Sequence, residues 1–188
     1  NFVVGKSING KEITPNINKF LNENIKVDNM IIQSYSTTAD SEHSAMTSLY
    51  PLENGIAFAQ YSGNKYNDIF DLYKESNYYT VYMHGNEGSF WNRKNVYSTL
   101  QVDDLNFIDS FDPNSELIND WVSDESLYEQ ATSKLKQVEK PFFSSIVAAS
   151  SHTGFDLPGL ANKYDKVSID VGKYKDTYFG NYLESLNY

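Results

Sequence analysis

Five side chains able to do chemistry stand at three points of this sequence: Thr38, then His84, Trp91 and Arg93, then His152. Thr38 lies in STTADSEHSAMTSLYP (36–51), just after the apolar Met30, Ile31 and Ile32. Thr37 suits an N-cap, and Asp40 three residues on completes a capping pattern. Thr38 then falls in the first helical turn, where unpaired N–H groups and the positive dipole end favour an anion. A hydroxyl held there could serve as nucleophile and metal ligand, or could be part of an ordinary helix start. Threonine is a poor nucleophile at neutral pH, so the first role needs a base or a metal. His84 and His152 could orient a substrate by hydrogen bonds or be satisfied structural histidines. Trp91 and Arg93 could form a phosphate clamp, with charge-assisted bonds from the guanidinium and an apolar wall from the indole. They could equally be a core aromatic beside a solvated arginine. His43 sits on the apolar stripe of its helix and reads as core.

The elements needed to hold these groups alternate between helix and strand. Thr14-Pro15 starts a short helix burying Ile17, Phe20 and Leu21. Val27 to Gln33 reads as a strand that delivers the chain to the Thr38 helix, which runs to Leu49 or Tyr50 before Pro51. Asn54 to Asn64 is loop-like. Asn67 to Ser76 reads as a helix, Tyr78 to Met83 as a strand emptying into His84-Gly85, and Ser89 as the start of a further helix. A short strand follows at Leu105 to Ile108, then a helix over Asp124 to Val138 with Asp124 at its cap. Pro141 to Ala149 reads as the most buried strand, residues 153–173 as irregular, and Tyr174 to Tyr188 as a helix. Such alternation predicts an α/β fold with a largely parallel sheet. In these sheets ligands bind beyond the carboxyl ends of the strands. Thr38, His84 and His152 each follow an expected strand, which points to one shared site.

Composition narrows the function classes. The chain has 188 residues, a formal charge of −10 and no cysteine. Length and a 40% hydrophobic content suit one domain with a sizeable core. The acidic balance, with no basic cluster, argues against nucleic acid. Disulfides, thiolate metal sites and cysteine nucleophiles are excluded. No apolar run is long enough to cross a bilayer. The chain starts on Asn1 and its last helix carries no stop signal, so we expect a piece of a larger protein, cut at both ends. Arg93 is the only arginine in a chain that otherwise uses lysine; arginine is preferred for forked recognition of phosphate or carboxylate.

Read together, TTADSE (37–42), SLYP (48–51), HGNEGSFWNR (84–93) and SSHTGF (150–155) resemble the extracellular domain of lipoteichoic acid synthases, within the sulfatase and alkaline-phosphatase-like superfamily. The opening NFVVGKSINGKEITP is similar to the segment after that domain's first strand. The resemblance implies a three-layer α/β/α fold, incomplete at both ends here, with residues 1–188 forming the N-terminal part of one catalytic domain. It also implies two-step transfer of glycerol phosphate from phosphatidylglycerol to a glycerolipid or growing polyglycerol-phosphate acceptor. Thr38 would carry the covalent intermediate and ligate Mn²⁺ (or Mg²⁺), while His84, Trp91, Arg93 and His152 would hold phosphate and glycerol. The implied location is the extracellular face of a bacterial membrane, anchored by transmembrane helices absent from this chain.

This sequence departs from the family pattern in two ways. The family's other metal ligands, a Glu before residue 1 and an Asp-His pair after residue 188, are not in it, so we expect weak Mn²⁺ binding and no activity from these residues alone. Asn86 stands where an acidic residue is expected. An incomplete sheet also leads us to expect strand exchange between copies. Two other readings stay open: a zinc-preferring phosphoethanolamine transferase of the same superfamily, and a non-catalytic sulfatase-like binding domain. A true sulfatase is rejected because C/S-x-P-x-R is absent.

Overall fold

The computed structural model describes residues 3–27, 37–155 and 167–188. Residues 28–33 of the strand expected before Thr38, and residues 156–166 of the expected irregular stretch, lie outside them. In chain order the described elements are β1 (Ser7–Ile8), β2 (Lys11–Glu12), α1 (Pro15–Asn22), α2 (Thr38–Thr47), α3 (Ala57–Gln60), α4 (Ile69–Glu75) and β3 (Tyr79–His84). There follow α5 (Arg93–Thr99), β4 (Asp104–Asn106), β5 (Leu117–Ile118), β6 (Trp121–Val122), α6 (Asp124–Leu135), β7 (Phe142–Val147) and α7 (Tyr178–Asn187).

The chain divides into two compact units, one of residues 1–30, 117–119 and 150–188, the other of residues 31–116 and 120–149. In the first, Asn9 and Gly10 both take positive φ (48° and 80°), the backbone a two-residue hairpin turn requires between β1 and β2. Its core gathers Val3, Ile13, Ile169, Val171 and Leu183. Helix α1 differs from expectation, since Ile17 and Phe20 are 49% and 63% exposed and Asn18 is its buried residue. Polar contacts set the inward face instead. Asn18 Oδ1 accepts from the Gly5 N–H at 2.8 Å and from the Thr14 hydroxyl at 3.0 Å.

The second unit holds a three-stranded parallel sheet of order β4-β3-β7, with Tyr82 opposite Leu105 and Ser145. Parallel neighbours need long crossovers, and here these contain helices α5 and α6. Side chains alternate across β3. Tyr82 packs with Phe58 of α3, Phe70 of α4 and Val96 and Tyr97 of α5. Val81 and Met83 pack on the opposite face with Leu127 and Ala131 of α6. Helices thus cover both faces, the three-layer α/β/α arrangement that the family resemblance implies.

Three expectations are corrected. The loop expected over residues 54–64 contains α3, where Ala57 and Phe58 are buried. Strand β7 is half-buried and β3 is the buried one, because β3 is central while β7 pairs only with β3 among the described residues. The helix expected from Ser89 is broken into a 3₁₀ turn at Phe90–Asn92 and α5.

Gly85, directly after β3, allows a close backbone approach. The Val122 N–H donates to its carbonyl at 2.9 Å, and a Cβ on Gly85 would lie 2.7 Å from the Val122 carbonyl oxygen. Gly85→Ala is therefore expected to destabilise the protein by about 1–3 kcal/mol through overpacking. A urea midpoint equal to wild type would contradict this contact.

Candidate active site

Helix α2 forms as its cap predicts. The Thr37 hydroxyl accepts from the Asp40 N–H at 3.2 Å and donates to Asp40 Oδ2 at 2.9 Å. With Thr37 extended (φ −135°) and outside the helix, Thr38 becomes its first residue and is exposed. The helix stops at Thr47, earlier than expected, because Ser48 turns left-handed (φ 59°). His43 is buried as read, its ring edge-on to Phe58 at 5.1 Å and Tyr66 at 5.5 Å.

One turn beyond Thr38, the same helix carries Glu42, which is 6% exposed. Its carboxylate accepts from Arg93 Nη2 at 2.6 Å, Arg93 Nε at 3.1 and 3.3 Å, Tyr82 Oη at 2.9 Å and Tyr97 Oη at 2.7 Å. The two tyrosine rings stack with centroids 3.7 Å apart. Arg93, 2% exposed, also donates from Nη1 to the Phe90 carbonyl at 3.3 Å. Burial pulls the guanidinium pKa down, but the Glu42 bonds and charge outweigh this and raise it. For Tyr97 and Tyr82, burial and the Glu42 charge both raise the pKa, so both phenols stay protonated as donors. Arg93 is thus neither solvated nor loose. Its five N–H bonds are partly committed, leaving one on each terminal nitrogen outside these contacts.

Sequence reasoning missed Glu42, Tyr82 and Tyr97. The available signal was the lone arginine, since a forked donor calls for a carboxylate or phosphate partner. Nothing local pairs it with a residue 51 positions earlier.

The backbone leading into Arg93 is unusual. Trp91 and Asn92 are both left-handed (φ 55°, ψ 23° and φ 60°, ψ 22°). Asparagine visits this region readily, whereas tryptophan does so at a cost of about 1–3 kcal/mol. Trp91 is half-buried, its ring 5.2 Å from that of Phe90. Backbone strain of this kind concentrates at functional sites.

His84 ends β3 on the Tyr82 face. Its Nδ1 lies 2.9 Å from the Val147 carbonyl oxygen; a carbonyl can only accept, so Nδ1 carries the proton and the neutral ring offers Nε2 as an acceptor. Burial lowers its pKa, with the Arg93 charge adding to this and the Val147 bond opposing it. Burial also lowers that of His43. Both rings then stay neutral in the folded state at a pH where the unfolded chain, near the ordinary value of 6.5, takes up protons. Their contribution to stability is intact above that value and is lost as pH falls from it towards the lower folded values. The urea midpoint is expected to drop between about pH 7 and about pH 5.5; a flat midpoint would contradict neutral burial of these rings.

Asn86 is buried, and its Oδ1 accepts from the Glu87 N–H at 2.6 Å. His152 belongs to the other compact unit and is exposed, with Nδ1 3.1 Å from the Thr153 carbonyl oxygen. Within the second unit, the structure links Thr38 to Arg93 through Glu42, and His84 lies within the field of Arg93 and Glu42.

The metal implied by the resemblance does not fit these residues alone. Among the described residues no group of three or more His, Asp or Glu could hold a metal ion, and Thr38 supplies one oxygen.

The second unit thus joins a parallel sheet covered by helices on both faces to a capped threonine helix tied to a buried arginine. The sulfatase family profile matches residues 4–188, and the chain belongs to that family. It is 30% identical over 181 residues to lipoteichoic acid synthase-like YvgJ of Bacillus subtilis (strain 168), covering 94% of this chain and 29% of that protein. The lipoteichoic acid synthase LtaP from Listeria monocytogenes superposes with a TM-score of 0.89 at 30% identity, over 98% of this chain and 45% of that one. The Streptococcus pyogenes phosphoglycerol transferase GacH, in complex with sn-glycerol-1-phosphate, shares the fold with a TM-score of 0.67 at 21% identity, over 94% and 47%. The chain therefore spans under a third of the curated relative's length.

Proposed function

We propose that this chain is part of a phosphoglycerol transferase that takes glycerol phosphate from phosphatidylglycerol and passes it to a glycerolipid or a polyglycerol-phosphate acceptor. The reading rests above all on Thr38 at the first turn of a capped helix whose next turn is pinned to Arg93. Similarity to LtaP along almost the whole chain supports the substrate class.

In the first step the Thr38 oxygen attacks the phosphorus of phosphatidylglycerol. The bond to the diacylglycerol oxygen breaks, and that oxygen takes up a proton and leaves as diacylglycerol. In the second step an acceptor hydroxyl attacks the same phosphorus, the Thr38 oxygen–phosphorus bond breaks, and the proton lost by the acceptor hydroxyl returns to Thr38. The positive end of the α2 dipole stabilises charge on the Thr38 oxygen. The two uncommitted N–H bonds of Arg93 can meet two phosphoryl oxygens. Neutral His84 accepts a hydrogen bond at Nε2 from a glycerol hydroxyl, and Trp91 forms an apolar wall. His152 is proposed as a further substrate ligand. We propose Mn²⁺ as the ion of the complete enzyme, with Thr38 supplying one of its ligands and the others lying outside the described residues.

No helix among the described residues is long and apolar enough to cross a membrane. We place the chain at the extracellular face of a bacterial membrane, where phosphatidylglycerol is within reach. The test is a release assay with the longest native protein carrying this sequence and a fluorescent phosphatidylglycerol. Labelled diacylglycerol should appear. Its absence, with phosphatidylethanolamine consumed instead, would overturn the substrate assignment.

A further inference from the structure

Two separate elements direct donors to one buried carboxylate on a third. Tyr82 comes from β3, Arg93 and Tyr97 from α5, and all converge on Glu42 of α2 at 2.6 to 3.3 Å. Thr38 and Glu42 are four residues apart on one helix, so they share a face about 6 Å apart along the axis. A buried ion pair is a weak route to stability, since well-packed apolar residues of similar volume usually serve as well or better. Here the pair is kept, both phenols complete the carboxylate's shell, and the strained Trp91 precedes the arginine. Such departures from cheap packing gather where a group must be held for function.

We propose that Glu42 is a positioning residue: with Tyr82 and Tyr97 it forms a seat that fixes the Arg93 guanidinium beside the Thr38 turn, leaving one N–H on each terminal nitrogen for a phosphoryl group. This rests on the phosphoryl-transfer reading given above. Side-on binding to Glu42 through Nε and Nη2 holds the guanidinium plane, which a single-point contact would leave free to rotate. The seat also makes α2 and α5 move as one piece, so the nucleophile and the positive charge keep their separation.

The test uses chemical rescue in the longest native protein carrying this sequence. Arg93→Ala empties the seat, and millimolar guanidinium should refill it, raising Tm and restoring glycerophosphate transfer by about tenfold or more, within the range assigned to positioned groups. In Arg93→Ala/Glu42→Gln neither should happen. No Tm rise in the single variant, or an equal rise in both, would overturn the seat. A Tm rise without regained transfer would show a structural pin only and overturn the positioning role. Should wild type transfer no glycerophosphate, the transferase reading falls, and the Tm contrast still decides whether Glu42 seats the guanidinium. If Arg93→Ala does not fold, Arg93→Lys keeps the charge without the fork. It should then lose about tenfold or more in kcat with KM changed less, and a wild-type kcat would overturn the proposal.

Discussion

Arg93→Met should be the most destabilising single change in the second unit, by about 3–5 kcal/mol, because it strands a buried carboxylate. Glu42 would keep its two phenol donors but lose its countercharge and all three of its contacts with the guanidinium. The loss should be largely recovered in Arg93→Met/Glu42→Gln, where an amide oxygen still accepts from Tyr82 and Tyr97 without needing a cation. This recovery separates an electrostatic origin from a packing one. If the double variant is as unstable as the single one, the carboxylate is not what makes Arg93 necessary. Denaturant midpoints and slopes for the three proteins settle this, with unchanged slopes marking a pure stability effect.

The largest kinetic effect is expected at Thr38. Thr38→Ala removes the oxygen that would bond to phosphorus while leaving the cap intact, since capping belongs to Thr37 and Asp40. Transfer should fall by about 10³-fold or more, as deletion of a covalent nucleophile does elsewhere. Exposure of Thr38 means stability should change by less than about 0.5 kcal/mol. That combination, a lost reaction in an intact fold, distinguishes a nucleophile from a structural helix start. Thr38→Ala that releases diacylglycerol at the wild-type rate would remove Thr38 from the mechanism.

What could be read from the sequence follows the range of the interactions involved. The α2 cap was legible because Thr37 and Asp40 are three residues apart and the pattern is local. The central strand was legible because YYTVYM is rich in aromatic and β-branched residues and runs at once into His84-Gly85. The buried place of His43 followed from helical spacing. By contrast, Glu42 looked like one more charge on a helix surface, since its three partners lie 40, 51 and 55 positions away. Without them, nothing marks it as buried. Arg93 was picked out as a phosphate ligand from its rarity, and the structure adds that its fork is already engaged by a carboxylate. Apolar spacing points to the wrong face of α1 because Asn18 is held inward by Gly5 and Thr14, contacts that the spacing does not encode. The break at Trp91 was invisible because a left-handed tryptophan is disfavoured locally and is held by its surroundings.

The central claim is that Thr38 carries the glycerophosphoryl group between the two half-reactions. The direct measurement is mass mapping of the protein quenched during turnover of phosphatidylglycerol with acceptor withheld. A glycerophosphoryl adduct is expected on the peptide containing residues 37–47, localised to Thr38 and absent from Thr38→Ala. An adduct on another side chain, or steady diacylglycerol release with no covalent species and full activity in Thr38→Ala, would contradict the account.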